Sequence, residues 1–191
     1  MMQALSLFVI ISIIAGSIFA LILNTNDKSN IIKSVQKFIN NTQSGHYNYL
    51  DSMKNVLVNN SMTIILIWIL GLSMVGIIII ILFIFWKAFC IGFTISSFII
   101  TFGIKGLLLS IVYLFPSIII NILIFMYLSS YAVYLSLVMI KCILGKKKLD
   151  FKLFMHNYAK VLFISLIGII ISGIYEIVVN PYLLKIISNL I

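Results

Sequence analysis

Long apolar runs dominate this chain, and they restrict its fold more than any other feature. Residues 4–23, 62–86, 107–140 and 158–179 each carry enough hydrophobic length to cross a bilayer, and 88–104 comes close. A spanning helix needs about 20 such residues, because about 30 Å of hydrocarbon is crossed at 1.5 Å per residue. Composition agrees: 63% of the 191 residues are hydrophobic, 9% are charged, and the mean hydropathy is +1.24. Water-soluble domains run near 45–50% apolar and about 25% charged. A soluble fold of this size has too little interior to hide so much apolar surface. Lipid is the solvent, and the expected fold class is all-α: a polytopic integral membrane bundle with about five transmembrane helices.

The span boundaries follow from charges and prolines. Residues 4–23 have neither a positive leading segment nor small residues suited to cleavage, since Ile18 sits in the position a cut after Ala20 would need small. They read as an uncleaved first anchor. Spans are expected at 62–86 and 88–104, separated by Lys87. Pro116 is expected to divide 107–140, because proline has no amide proton and crowds the preceding turn. That leaves a short interfacial or re-entrant piece at 106–115 and a span at 116–140. A last span at 158–179 is expected to stop at Asn180-Pro181, with an amphipathic tail beyond. Four spans with a re-entrant third segment is the alternative.

Residues 24–60 form the one long polar stretch. Within it Ile31, Ile32, Val35, Phe38 and Ile39 recur at helical spacing, and so do Tyr47, Leu50, Met53 and Leu57. Two short amphipathic helices are expected, the second able to continue into the next span. The net charge of +9 comes from thirteen lysines against four acids, with no arginine. Six of those lysines lie between Lys141 and Lys160. That clustering beside apolar runs marks 141–157 as a cytoplasmic loop facing anionic headgroups, not a nucleic-acid surface. Alternation of five spans then puts 24–60 outside and Lys87 and the N-terminus inside.

Chemistry-bearing patterns are scarce. Cys90 and Cys142 are single and distant, with no CxxC. His46 and His156 lack partners at ligand spacing, so no metal and no cofactor is expected. No catalytic Ser/His/Asp set, phosphate loop or HExxH occurs, and enzymatic activity is not expected. Small residues recur at four-residue spacing: Ala88, Gly92 and Ser96; Ala132 and Ser136; Gly168 and Ser172. Such stripes let backbones approach closely, within this bundle in the simpler reading or against a partner helix in the other. Glu176 is the lone acid inside a span and is expected either to pair with Lys105 or to be solvated near the outer boundary. Ile31, Val35, Phe38, Ile39, Leu50 and Leu57 are candidates for docking a partner, or for resting on the bilayer. Asn121, Ser129, Ser130 and Ser136 on one span are the candidates for lining a transport path.

The run W-I-L-G-L-S-M-V-G from Trp68 to Gly76, then F-W-K-A-F-C-I-G-F-T-I-S-S-F from Phe85 to Phe98, resembles the stage II sporulation protein M family. Pro116 falls where that family has its proline break, and Y-E-I-V-V-N-P-Y from Tyr175 to Tyr182 resembles its terminal segment. The resemblance runs in order from about residue 30 onward; the chain departs in lacking a longer basic N-terminal segment. It implies a multi-pass protein of the bacterial cell membrane, at the sporulation septum and mother-cell membrane. There it would anchor the engulfment machinery and localise two peptidoglycan-degrading partners, stage II sporulation proteins D and P. A transport or channel component is the alternative reading.

Overall fold

The computed structural model describes residues 2–43, 49–73, 75–145 and 151–188. They form α1 (Met2–Ile22), α2 (Thr25–Gln43), α3 (Tyr49–Gly71), α4 (Gly76–Phe102), α5 (Ile104–Ile143) and α6 (Phe151–Ser188), with no strand among the described residues. Five segments are long and apolar enough to span: Met2–Ile22, Ser52–Gly71, Gly76–Phe102, Pro116–Ile143 and Lys152–Asn180. The expected all-α, five-span bundle is therefore the observed fold. Residues such as Leu7, Ile11, Ile14 and Ile18 on α1, and Phe163, Ile167, Ile171 and Ile174 on α6, point outward along single helical faces. Apolar faces of that extent suit lipid and would aggregate in water.

α1 lies along α4, and glycine sets the spacing. A side chain at Gly16 would collide with the Phe89 carbonyl, and one at Gly92 with the Ile13 carbonyl. Ser17 Oγ donates to the Gly92 carbonyl at 3.2 Å across the same seam. With no hydrophobic reward for association in lipid, such close approach supplies the dispersion contacts that do the work. Phe19 packs beside Phe89 and Phe93, with centroids 5.5 and 6.3 Å away.

The turn between the second and third spans lies at 72–75, not at Lys87. Sequence reading joins 62–86 into one span because those residues are uniformly apolar. Locally, however, Ser73 N–H bonds the Leu70 carbonyl and Gly76 N–H the Ser73 carbonyl, and a side chain at Gly76 would strike the Leu70 carbonyl. The turn also has a donor from outside it: the Ser136 hydroxyl of α5 is shared between Gly71 O at 2.9 Å, at the end of α3, and Ser73 O at 3.0 Å, in the turn. The 62–86 and 88–104 spans are thus replaced by Ser52–Gly71 and Gly76–Phe102, and Lys87 lies inside a span, not in a cytoplasmic loop. The second amphipathic pattern, with Met53 and Leu57, opens α3 directly.

Neither proline ends a helix. α5 runs unbroken through Pro116 for 40 residues, and α6 for 38 through Asn180-Pro181. Continuation is tolerated in membranes because neighbouring helices can satisfy groups that proline leaves unpaired. Here the two proline-bearing stretches meet: Asn180 Nδ2 donates to Ser117 Oγ at 3.2 Å, and Ser172 Oγ to the Ser117 carbonyl at 3.3 Å. Residues 106–115 are accordingly the first turns of a continuous α5, not a re-entrant piece. α4 reverses into α5 at Gly103, whose φ of 60° favours glycine, and Gly103 N–H bonds the Ile99 carbonyl at 2.8 Å.

α2 folds back over the bundle on the side where α4 ends. Ile39 is buried with Phe98 of α4 and Leu109 of α5, and Val35 and Phe38 pack against that cluster. On the opposite side, α3 and α6 are joined by a stacked Trp68–Tyr158 pair, centroids 5.4 Å apart. Tyr158 O–H donates to the Trp68 carbonyl at 2.9 Å, and Trp68 Nε1–H returns a bond to the Tyr158 carbonyl at 3.3 Å.

Candidate functional site

With Lys87 moved from a loop into a span, the most polar place inside the bundle becomes visible. On α4, Lys87, Cys90, Ile91 and Thr94 recur at helical spacing and share one face; on α5, Ile118, Asn121, Ile122 and Phe125 do the same. These two faces, with Asn60 of α3 and Glu176 of α6, enclose a cavity of about 230 Å³. Lys87 Nζ stands 5.5 Å from the centroid of the Phe125 ring, within reach of the negative face of its π-system. Lys87 and Glu176, of opposite formal charge, line the same cavity. Asn121 Oδ1 is buried beside them with no hydrogen-bond partner. An ammonium, a carboxylate and an orphaned amide oxygen at membrane depth form a costly set, and such sets tend to be functional.

Two further spaces adjoin it along α4. Toward the α2 side, a groove of about 390 Å³ lies between Asn30, Ile31, Ser34 and Val35 of α2 and Phe93, Thr94, Ser97 and Phe98 of α4. In the other direction a cavity of about 20 Å³ lies among Val9, Ile67, Ile84, Ala88 and Met126.

The residues singled out from sequence distribute as follows. Glu176 lines the cavity with Lys87, and Lys105 stands in the exposed first turn of α5. Ala88, Ser96, Ala132, Ser136 and Ser172 are buried inside the bundle, Ala132 against Gly71, while Gly92 meets α1 and Gly168 meets Ile124. Val35, Phe38 and Ile39 hold α2 to α4 and α5, Ile31 lines the groove, and Leu57 packs against Gly173 of α6. The side chain of Leu50, and His46, lie outside the described residues. Of the four polar α5 residues, Asn121 lines the cavity, Ser136 bonds the α3–α4 turn, and Ser129 and Ser130 are enclosed in the core. Among the described residues, no three His, Cys, Asp or Glu side chains converge as a metal site would require.

Sequence reasoning missed Lys87 as a site residue because a lone lysine between apolar runs usually marks a span edge. The available signal was position: it lies eleven residues beyond Gly76 and fifteen before Phe102, with no turn-forming sequence nearby.

A family model described as Stage II sporulation protein M matches residues 4–181 of the chain. No curated protein and no solved structure matches it.

Proposed function

The chain belongs to the stage II sporulation protein M family, whose role lies in sporulation, and from that premise we propose that it is a membrane scaffold of endospore engulfment. In this reading it holds the peptidoglycan-degrading stage II sporulation proteins D and P at the septum. The septal wall is then thinned and the mother-cell membrane advances around the forespore.

The observation that best supports the reading is the way α2 is mounted. Its apolar stripe is spent on the bundle through Val35, Phe38 and Ile39. Ser29, Lys33, Gln36, Lys37 and Asn40 are exposed along the opposite stripe. A helix fixed by one face and polar on the other is a pre-organised platform for an aqueous partner, because little ordering entropy is left to lose on binding. The loop expected at 141–157 is shorter, since α5 runs to Ile143 and α6 starts at Phe151; with the lysine-rich connection between them cytoplasmic, this platform lies outside, where wall-degrading partners work. In this reading Val35, Phe38 and Ile39, docking candidates from sequence, serve as the mount, and the polar stripe makes the contact.

Gene disruption tests the function. A scaffold predicts arrest of engulfment after a normal septum has formed, with the hydrolases dispersed. A second reading, a component of a transport path, has the Lys87–Glu176 cavity in its favour; ion flux through reconstituted vesicles would distinguish it.

A further inference from the structure

The cavity between α3, α4, α5 and α6 brings two ionisable side chains, Lys87 and Glu176, to one set of walls with Asn60 and Thr94. Lys87 and Glu176 are each half-buried there, and charges drawn partly out of water regain that loss only when their remaining valences are bonded. A volume of about 230 Å³ holds several waters, each occupying about 30 Å³ in the liquid and needing two to four polar partners. Lys87, Glu176, Asn60 and Thr94 supply those partners.

The three spaces are ordered along α4. From the α2 side inward come Ser97 and Thr94 in the groove, then Thr94, Cys90 and Lys87 in the polar cavity, then Lys87, Ala88 and Ile84 in the small space. Thr94 belongs to both the groove and the polar cavity. Beyond Lys87 the walls are apolar and the space is about 20 Å³, which leaves no chain of polar partners for water. The sequence is wide and half-polar, then polar, then closed.

We propose that the groove beneath α2 and the four-helix cavity form one hydrated vestibule reaching the Lys87–Glu176 pair at membrane depth. It opens on the α2 side, narrows at Thr94, and is closed toward the opposite face by the apolar wall around Ile84 and Met126. Its ligands are water and small solutes that donate hydrogen bonds to Glu176. This inference is independent of the scaffold reading.

Cys90 lines the cavity and is a native reporter. In membranes carrying the full chain with Cys142→Ser, Cys90 is modified with a membrane-impermeant trimethylammonium methanethiosulfonate, applied to one face at a time. A Ser29→Cys variant on exposed α2 identifies the α2 face. Modification from that face is expected to be at least about tenfold faster than from the other, since the charged reagent must otherwise cross hydrocarbon. Thr94→Ala should speed it and Thr94→Phe slow it, with Ser29→Cys labelling unchanged. Equal rates from both faces would overturn the vestibule. So would failure of the charged reagent to modify Cys90 from the α2 face in both the parent and Thr94→Ala, whatever permeant N-ethylmaleimide does. If the Phe variant does not accumulate, the Ala variant and the two-face comparison decide.

Discussion

At the scale of single residues, many hydroxyls bond a carbonyl one turn back in their own helix, and a smaller set ties one helix to another. Ser136 belongs to the smaller set: one hydroxyl serves a carbonyl at the end of α3 and another in the turn after it. Ser136→Ala is expected to lower stability by about 1 kcal/mol, modest because intramembrane hydrogen bonds average less than solution reasoning suggests. Unfolding in a graded SDS titration would measure it. Lys87 and Glu176 behave differently, because each is tolerable at that depth chiefly in the other's presence. Lys87→Met leaves the Glu176 carboxylate without its cation and should cost about 2 kcal/mol, less than a fully buried pair because both side chains are only half-buried. The double variant Lys87→Met/Glu176→Leu should regain most of that loss. A double variant no better than the worse single one would mean the two charges are not coupled.

Among the elements, α2 and the two long helices behave as units. Phe38→Asp puts a carboxylate into the cluster with Phe98 and Leu109 and should release α2, at a cost of about 1–3 kcal/mol. The readout is protease cleavage within α2 while the spans stay protected. Pro116→Ala should leave insertion and span positions unchanged, since α5 already continues through the proline; cysteine-accessibility mapping on both sides of 116 would show a shift if the proline were a true break. These elements also show what sequence could and could not reveal. The α2 pattern from Ile31 to Ile39 was legible because 3.6-residue periodicity survives in a half-exposed helix. The α3–α4 turn was not, because Leu72 and Val75 are as apolar as the helices they join. Its signal lay in Gly71, Ser73 and Gly76, and the donor that completes it, Ser136, is more than sixty residues away in the chain. The prolines misled because a local rule ends a helix there, whereas the setting that holds these stretches together, including the Ser117–Asn180 contact, is tertiary.

For the whole molecule, five spans put the first turns of α1 and the α5–α6 connection on one face and α2 on the other. Fold class and span count could be read from hydropathy because lipid imposes them on any chain this apolar. The polar cavity could not, since it needs four helices to meet and its lysine resembles a loop residue. The proposal that α2 holds peptidoglycan-degrading partners can be put to fluorescently tagged hydrolases in sporulating cells whose sole copy of this protein carries Lys33→Glu and Lys37→Glu. The variant is expected to reach the membrane at normal levels while the hydrolases leave the septum and engulfment stalls after septation. Hydrolases still at the septum, with engulfment completed on schedule, would contradict it.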